Sequence, residues 1–143
     1  MAERDADEAE AKRVRDEIGL RLKEAHYPGR APIEAYGNGG FRFADMSHQG
    51  AILCLPSGIY GWRPRDLGTL DVSDFDRIAS EAGLEFLLLG TGTELQPVPS
   101  AIREALAASN VRVEPMSTGA AVRTLNVLLA EDRPVGAGLL PVD

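Results

Sequence analysis

The spacing of apolar residues changes character along the chain. Near the start, Val14, Ile18, Leu22 and Ala25 recur at helical spacing, with charges on the other faces. Gly19 weakens that pattern, and Pro28-Gly29 ends it. Residues 1–25 therefore read as an acidic, partly helical extension with a frayed tail. It either packs on the body or a partner, or stays solvated.

From Ile33 the pattern is that of strands. Ile33 to Tyr36 alternates, Gly37-Asn38-Gly39-Gly40 supplies residues that accept positive φ, and Phe41-Arg42-Phe43 alternates again. Asn-Gly between alternating runs predicts a hairpin. Ala51 to Leu55 is continuously apolar, as expected of a strand covered on both faces. Pro56-Ser57-Gly58 turns the chain, and Ile59 to Trp62 suits a further short strand.

The second half alternates helix and strand. Ser73 to Ala82 predicts a helix with Ser73 as N-cap, Asp76 three residues on, and Phe75, Ile78, Ala79 and Ala82 on one face. Leu84 to Gly90 predicts a buried strand. Pro99 to Ser109 predicts a helix with Ile102, Ala105 and Leu106 inward, and Asn110 suits its C-terminal turn. A strand at Val111 to Glu114 follows. A helix from Thr118 to Glu131 directs Val122, Leu125, Leu128 and Leu129 inward, and Val135 to Leu140 is the last strand. Residues 26–143 then form a single α/β domain. Its architecture is three-layered, a central mixed β-sheet flanked by helices, with the N-terminal β-hairpin as an additional layer.

Composition narrows the functional classes. The chain has 143 residues, 44% of them hydrophobic and 26% charged, enough for one well-packed core. Its net charge is −7, and the sequence pI is about 4.8. Beyond residue 24 there are nine bases against fourteen acids, so the acidity belongs to the body as well as to the extension. Such a surface suits neither nucleic acid nor anionic lipid. One cysteine and two histidines rule out an internal disulfide and speak against a Cys/His zinc site, so no metal or cofactor is expected. Met1 to Glu10 carry five acids and one Arg, unlike a signal or transit peptide, and no apolar run approaches a membrane span. The expected location is cytoplasmic, without direct membrane insertion.

Few constellations could carry chemistry. Cys54 lies within a buried run and reads as a small hydrophobe. Asp45 and His48 could meet across a turn, a pairing that usually orders a loop. Ser57 is flanked by Leu55 and Ile59 where a nucleophile elbow needs glycines. Gly90-Thr91-Gly92-Thr93 follows a strand, but Leu95 replaces the third glycine of a dinucleotide motif, and Gln96 to Pro99 separates the glycines from the helix. No catalytic residue emerges.

Two regions remain as candidates. The loops Gly90–Thr93 and Ser117–Gly119 end adjacent strands, where open α/β sheets bind ligands and helix N-termini favour anions. Gly90, Gly92, Thr93, Thr118 and Arg123 would bound such a ligand-binding site. Trp62, followed by Arg63, Pro64 and Arg65, is the only tryptophan. Trp and Arg are the usual anchors of protein interfaces, although Trp also serves as core filler. Trp62, Arg63 and Arg65 are therefore the candidate partner surface.

Four stretches together carry a resemblance. They are Pro28-Gly29-Arg30-Ala31-Pro32-Ile33 continuing to Tyr36-Gly37-Asn38-Gly39-Gly40-Phe41-Arg42-Phe43; Leu55-Pro56-Ser57-Gly58-Ile59; Leu87-Leu88-Leu89-Gly90-Thr91-Gly92; and Met116-Ser117-Thr118-Gly119-Ala120-Ala121-Val122-Arg123-Thr124-Leu125-Asn126. In this order they resemble a family of small proteins known as a domain of unknown function, common in proteobacteria and archaea. The family includes the mitochondrial respiratory complex I assembly factor three. The resemblance covers residues 26 to 140 and implies a three-layer α/β fold of the Mth type, and no catalytic residues to carry over. For the mitochondrial branch it implies an assembly role near the inner membrane with a partner protein. The expectation for this chain is a non-enzymatic interaction module with a protein partner, assisting assembly of a complex I-type respiratory complex. A small-molecule or anion-binding protein, or an enzyme using the paired-loop cleft, is the alternative, and self-association as a homo-oligomer is left open.

Overall fold

The strands at the centre of this protein are apolar on both faces because both faces are covered. In the computed structural model, which describes residues 25–81 and 83–143, fourteen helical and strand segments follow one another. The first six strands are β1 (Ala25–Tyr27), β2 (Ile33–Gly37), β3 (Gly40–Phe43), β4 (Met46–Gln49), β5 (Ile52–Leu55) and β6 (Gly58–Gly61). Two 3-10 turns at Leu67–Thr69 and Val72–Phe75 lead into the short α1 (Asp76–Ala79). Strand β7 (Phe86–Gly90), helix α2 (Ser100–Ala108), strand β8 (Arg112–Met116), helix α3 (Thr118–Ala130) and strand β9 (Gly136–Leu139) complete the chain.

Six strands form a mixed sheet in the order β1-β6-β5-β9-β7-β8. The β1–β6, β6–β5 and β5–β9 pairs are antiparallel, whereas β7 runs parallel to both β9 and β8. Strand alternation sorts the side chains between two clusters. Ile52, Cys54 and Leu88 enter one with Val122 and Leu125 of α3. Leu53, Leu55, Leu87 and Leu89 enter the other with Ile78 of α1 and Ile102 and Leu106 of α2. Burying each such aliphatic side chain stabilises the fold by about 1.5–3 kcal/mol, so β5 and β7 tie both layers together.

Strand β9 carries two glycines for a steric reason. A methyl group at Gly138 would lie 2.6 Å from the Trp62 ring, and one at Gly136 would lie 3.0 Å from Leu55. The two glycines thus let large side chains lie flat across the middle of the sheet.

The expected hairpin is present and larger than the sequence pattern suggested. Asn38 and Gly39 take φ of 52° and 77° between β2 and β3, as a tight hairpin turn requires. Strand β4 continues it into a separate three-stranded antiparallel sheet. Ile33, Phe41 and Phe43 face inward from that sheet and join α3 over the same side of the central sheet. Asn126 of α3 fixes the junction. Its side chain accepts from the Ile33 N–H and donates to the Ile33 carbonyl, each at 2.9 Å.

Several expectations are corrected. Ala25, read as the end of a helix, lies in β1 and pairs with Tyr60 of β6; the rest of that predicted helix lies outside the described residues. The segment at 73–82 does not begin at Ser73. Asp71 is the N-cap, its carboxylate accepting from the Ser73 N–H at 3.1 Å, and Asp74 closes a reciprocal capping box. The first turn is 3-10, so the helical face shifts: Phe75 and Ile78 are buried while Ala79 is exposed. Strand β8 extends to Met116, beyond the expected end at Glu114, and starts after Val111.

Candidate functional site

The sheet brings the two candidate loops together at the ends of β7 and β8. Gly90 packs so closely on α3 that a methyl group there would lie 3.0 Å from both the Thr118 Cα and its hydroxyl. The Thr118 side chain is fully buried. Its hydroxyl donates to the Leu140 carbonyl at 2.7 Å and accepts from the Gly92 N–H at 3.0 Å. The Thr118 N–H in turn donates to the Gly92 carbonyl at 2.8 Å. Thr91 is bonded on all sides: its hydroxyl reaches the Glu94 carbonyl and accepts from the Gln96 N–H, and its N–H reaches Met116. Ser117 caps α3 through the Ala120 N–H.

These bonds join the loops as a clasp. Gly90, Gly92 and Thr118 meet, but their polar groups serve one another. Thr93 is exposed on the loop beyond them, and Arg123 is exposed one turn further along α3. Next to the clasp is the half-buried Gly119 in the first turn of α3. There the Tyr36 hydroxyl from β2 lies against the Gly119 Cα, and an Arg123 nitrogen is 3.7 Å from where a Gly119 methyl would project.

The second candidate region lies on the opposite face of the sheet. Trp62 is half-buried, edge-on to Phe75 with ring centroids 5.5 Å apart, and its indole N–H donates to the Asp74 carbonyl at 2.9 Å. Arg63 grips the same residue by its side chain. Its Nε reaches Asp74 Oδ1 at 2.8 Å and Nη2 reaches Oδ2 at 2.6 Å, with a further bond to the Thr69 carbonyl. Asp74 also accepts from the Asp71 N–H at 2.8 Å, so one carboxylate closes the capping box and clamps the arginine. The hydrogen bond to Asp74, helped by its charge and that of Asp71, holds the Arg63 guanidinium further above its ordinary range. The Ser73 hydroxyl, followed by the Ser73 N–H, holds the Asp71 carboxyl below its own. Arg65 is exposed, its backbone N–H donating to the Thr69 hydroxyl.

Beside this clamp lies a cleft of about 540 Å³, with Trp62, Arg63, Asp74, Asp76, Arg77 and His48 on its walls. The Arg77 guanidinium stacks 4.1 Å over the Tyr60 ring, and a His48 ring nitrogen bonds the Ala51 carbonyl at 3.1 Å. The sequence reading missed Asp74 and Arg77. The one available signal was the Asp71–Asp74 spacing of a capping box, which was overshadowed by Ser73. Ser57 is a turn serine, its hydroxyl hydrogen-bonded to Glu81 and to the Tyr60 hydroxyl. Cys54 is buried, and burial pushes its thiol up to about 12. Among the described residues, no group of three His, Cys, Asp or Glu side chains is placed to hold a metal ion, and no helix is long and apolar enough to cross a membrane.

A family described as "Protein of unknown function (DUF498/DUF598)" matches residues 33–140, which takes in both candidate regions. The chain belongs to this family. It is similar to an uncharacterized protein of Rhodobacter capsulatus, 38% identical over 120 residues, covering 84% of this chain and 92% of that one. Mouse NADH dehydrogenase (ubiquinone) 1 alpha subcomplex assembly factor 3 is 25% identical over 123 residues, 85% of this chain and 66% of the mouse protein. Among solved structures, one described as an outer membrane protein from Bartonella henselae superposes with a TM-score of 0.78 at 55% identity, covering 82% of this chain and all of that one. A Bordetella pertussis protein described as a Mth938-like domain superposes with a TM-score of 0.67 at 30% identity, over 78% of this chain and 85% of that one. The fold implied by the sequence resemblance is thus the fold observed.

Proposed function

We propose that this DUF498/DUF598 protein is a non-enzymatic interaction module that assists assembly of a complex I-type respiratory enzyme through a protein partner. The observation that carries this reading is the likeness to assembly factor 3 of mouse, rat and human, at 25%, 27% and 26% identity over most of this chain. The Trp62 surface supports it. Asp74 holds the indole and the Arg63 fork in fixed positions before any partner arrives, which lowers the ordering cost of binding. Arg65 supplies an exposed charge beside them. With fourteen acids on the body, contact with an anionic membrane surface would run through that partner rather than through lipid. The reading places the protein on the cytoplasmic side.

The test is deletion of the gene, followed by measurement of assembled NADH:quinone oxidoreductase on native gels. The expected result is a loss of the assembled enzyme that the wild-type chain restores and the Arg65→Glu chain restores poorly. Unchanged enzyme in the deletion strain overturns the reading.

The anion-binding alternative rests on what lies next to the clasp: Arg123, the Tyr36 hydroxyl and the first turn of α3 at Gly119. Phosphate titration followed by amide NMR tests it. Shifts centred on Gly119 and Ala120 would support it, and their absence up to millimolar phosphate would remove it.

A further inference from the structure

Helix α3 presents a bulky apolar residue to solvent on its outward face. Val127 is 58% exposed, and Arg123 and Glu131 lie one helical step to either side of it at i−4 and i+4. Among the described residues neither Arg123 nor Glu131 takes part in an ion pair, although Arg30, Arg42, Arg63 and Arg112 all do. A charge, an apolar residue and the opposite charge at equal spacing form a self-complementary stripe. It matches an identical stripe running the other way, whereas a parallel alignment would oppose like charges.

The flank of α3 adds an exposed aromatic ring and a cleft. Strand β2 lies along the helix, with Ile33 hydrogen-bonded to Asn126 and the Tyr36 hydroxyl against Gly119. Tyr36, at the N-terminal end of α3, is 42% exposed. At the other end, a cleft of about 260 Å³ opens between Ala31 and Pro32 on one side and Leu129 and Ala130 on the other. The aromatic knob and the apolar cleft thus lie on one flank of the helix, at opposite ends of it.

We propose that α3 and the adjoining flank of β2 form a two-fold interface with a second copy of this chain. A two-fold axis perpendicular to α3 at Val127 brings the two Val127 side chains together. It sets Arg123 of each copy opposite Glu131 of the other. Each Arg123–Glu131 pair is thus made twice by one operation, as an isologous interface requires. The centre is apolar and the rim charged. The charges select the antiparallel alignment because the alternative opposes Arg to Arg. This surface lies on the α3 side of the central sheet and leaves the Trp62 side free. It stands or falls independently of the assembly role.

Sedimentation of the full chain tests it, and a dimer in the micromolar range is expected. Arg123→Glu or Glu131→Arg alone should weaken self-association by at least about tenfold, because each opposes like charges twice, and the double reversal should restore it. Arg123, Val127 and the C-cap residue Glu131 are all exposed, so the variants should keep the wild-type circular dichroism and melting temperature. In a Cys54→Ala background, Val127→Cys should form a disulfide between copies under mild oxidation, since the axis passes beside it. A chain that stays monomeric at high micromolar concentration overturns the proposal. So does a dimer indifferent to the charge reversals, or one in which Val127→Cys fails to cross-link.

Discussion

Asn126 holds Ile33 by both of its backbone groups, the amide oxygen accepting from the N–H and the amide nitrogen donating to the carbonyl, each at 2.9 Å. The two residues are 93 positions apart, and their bonds are the polar link between the three-stranded sheet and α3. Asn126→Leu removes both partners and leaves the Ile33 groups half-buried. It should cost about 1–3 kcal/mol in denaturant unfolding. Asn126→Asp keeps an acceptor but loses the donor, and should fall between the two. A wild-type midpoint for the Leu variant would show that water replaces the amide at no cost.

Thr118 has the same role between the candidate loops, with no solvent to substitute for it. Thr118→Val is close in volume but leaves the Leu140 carbonyl and the Gly92 N–H without their hydroxyl. An expected loss of about 1–3 kcal/mol follows from one buried and one part-buried group left unsatisfied. Amide exchange at Gly92 should accelerate selectively in the variant, while exchange in β5 should change only as far as global stability does.

These two residues also show where the sequence is readable. The buried strands were legible because Leu53, Cys54 and Leu87 to Leu89 have no polar neighbours on either face, a pattern only a doubly covered strand tolerates. The Asn38-Gly39 turn was legible because its chemistry is local. Strand β4 was not, since Met46, Ser47, His48 and Gln49 alternate only between half-buried and exposed, and its turn is made by Ala44 and Asp45 at positive φ. Asp45 tolerates that conformation, but Ala44 gives no sign of it. Likewise Trp62 and Arg63 could be singled out as chemically unusual. Their attachment to Asp74, twelve and eleven residues on across a turn, is a tertiary fact. The loop pair was placed correctly in space from strand order alone, but that its donors bond one another depends on the separation of two strand ends, which no local pattern encodes.

The Arg63–Asp74 clamp predicts an asymmetry. The Asp74 side chain is 5% exposed and that of Arg63 59%. Arg63→Ala removes one partner of the carboxylate, whereas Asp74→Ala also removes the Asp71 N–H acceptor and the capping box. Asp74→Ala should lower the melting temperature more than Arg63→Ala. The double variant should be only slightly worse than Asp74→Ala alone, since the arginine then keeps only its bond to the Thr69 carbonyl and the charge of Asp71. Strictly additive losses in the double-mutant cycle would count against the clamp.

Asp71 makes the same segment sensitive to acid. Its carboxyl is held below the ordinary 3.8, first by the Ser73 hydroxyl and then by the Ser73 N–H. A depressed carboxyl adds stability that is complete above its unfolded value and is lost as pH falls through the folded one. Stability should therefore decline below pH 3.8. Asp71→Asn should flatten that decline while leaving the neutral-pH slope unchanged, as measured by urea unfolding across the acid range. An identical acid profile in wild type and variant would remove Asp71 from the account.

Cys54 sets the alkaline side. Its thiol is buried within the α3-side core, and desolvation pushes it from 9.0 up to about 12. Between these values the unfolded chain releases the proton while the folded chain retains it, so unfolding gains free energy as pH rises. The stability present below pH 9.0 should be lost with a slope of up to about 1.4 kcal/mol per pH unit from this group. The decisive quantity is the difference between wild type and Cys54→Ala, in which the slope from this thiol vanishes. The same burial predicts that a thiol reagent at neutral pH labels Cys54 only at the rate at which the core opens, and that the rate rises in step with denaturant. Prompt labelling of the native protein would mean that β5 is exposed by a local motion far less costly than unfolding.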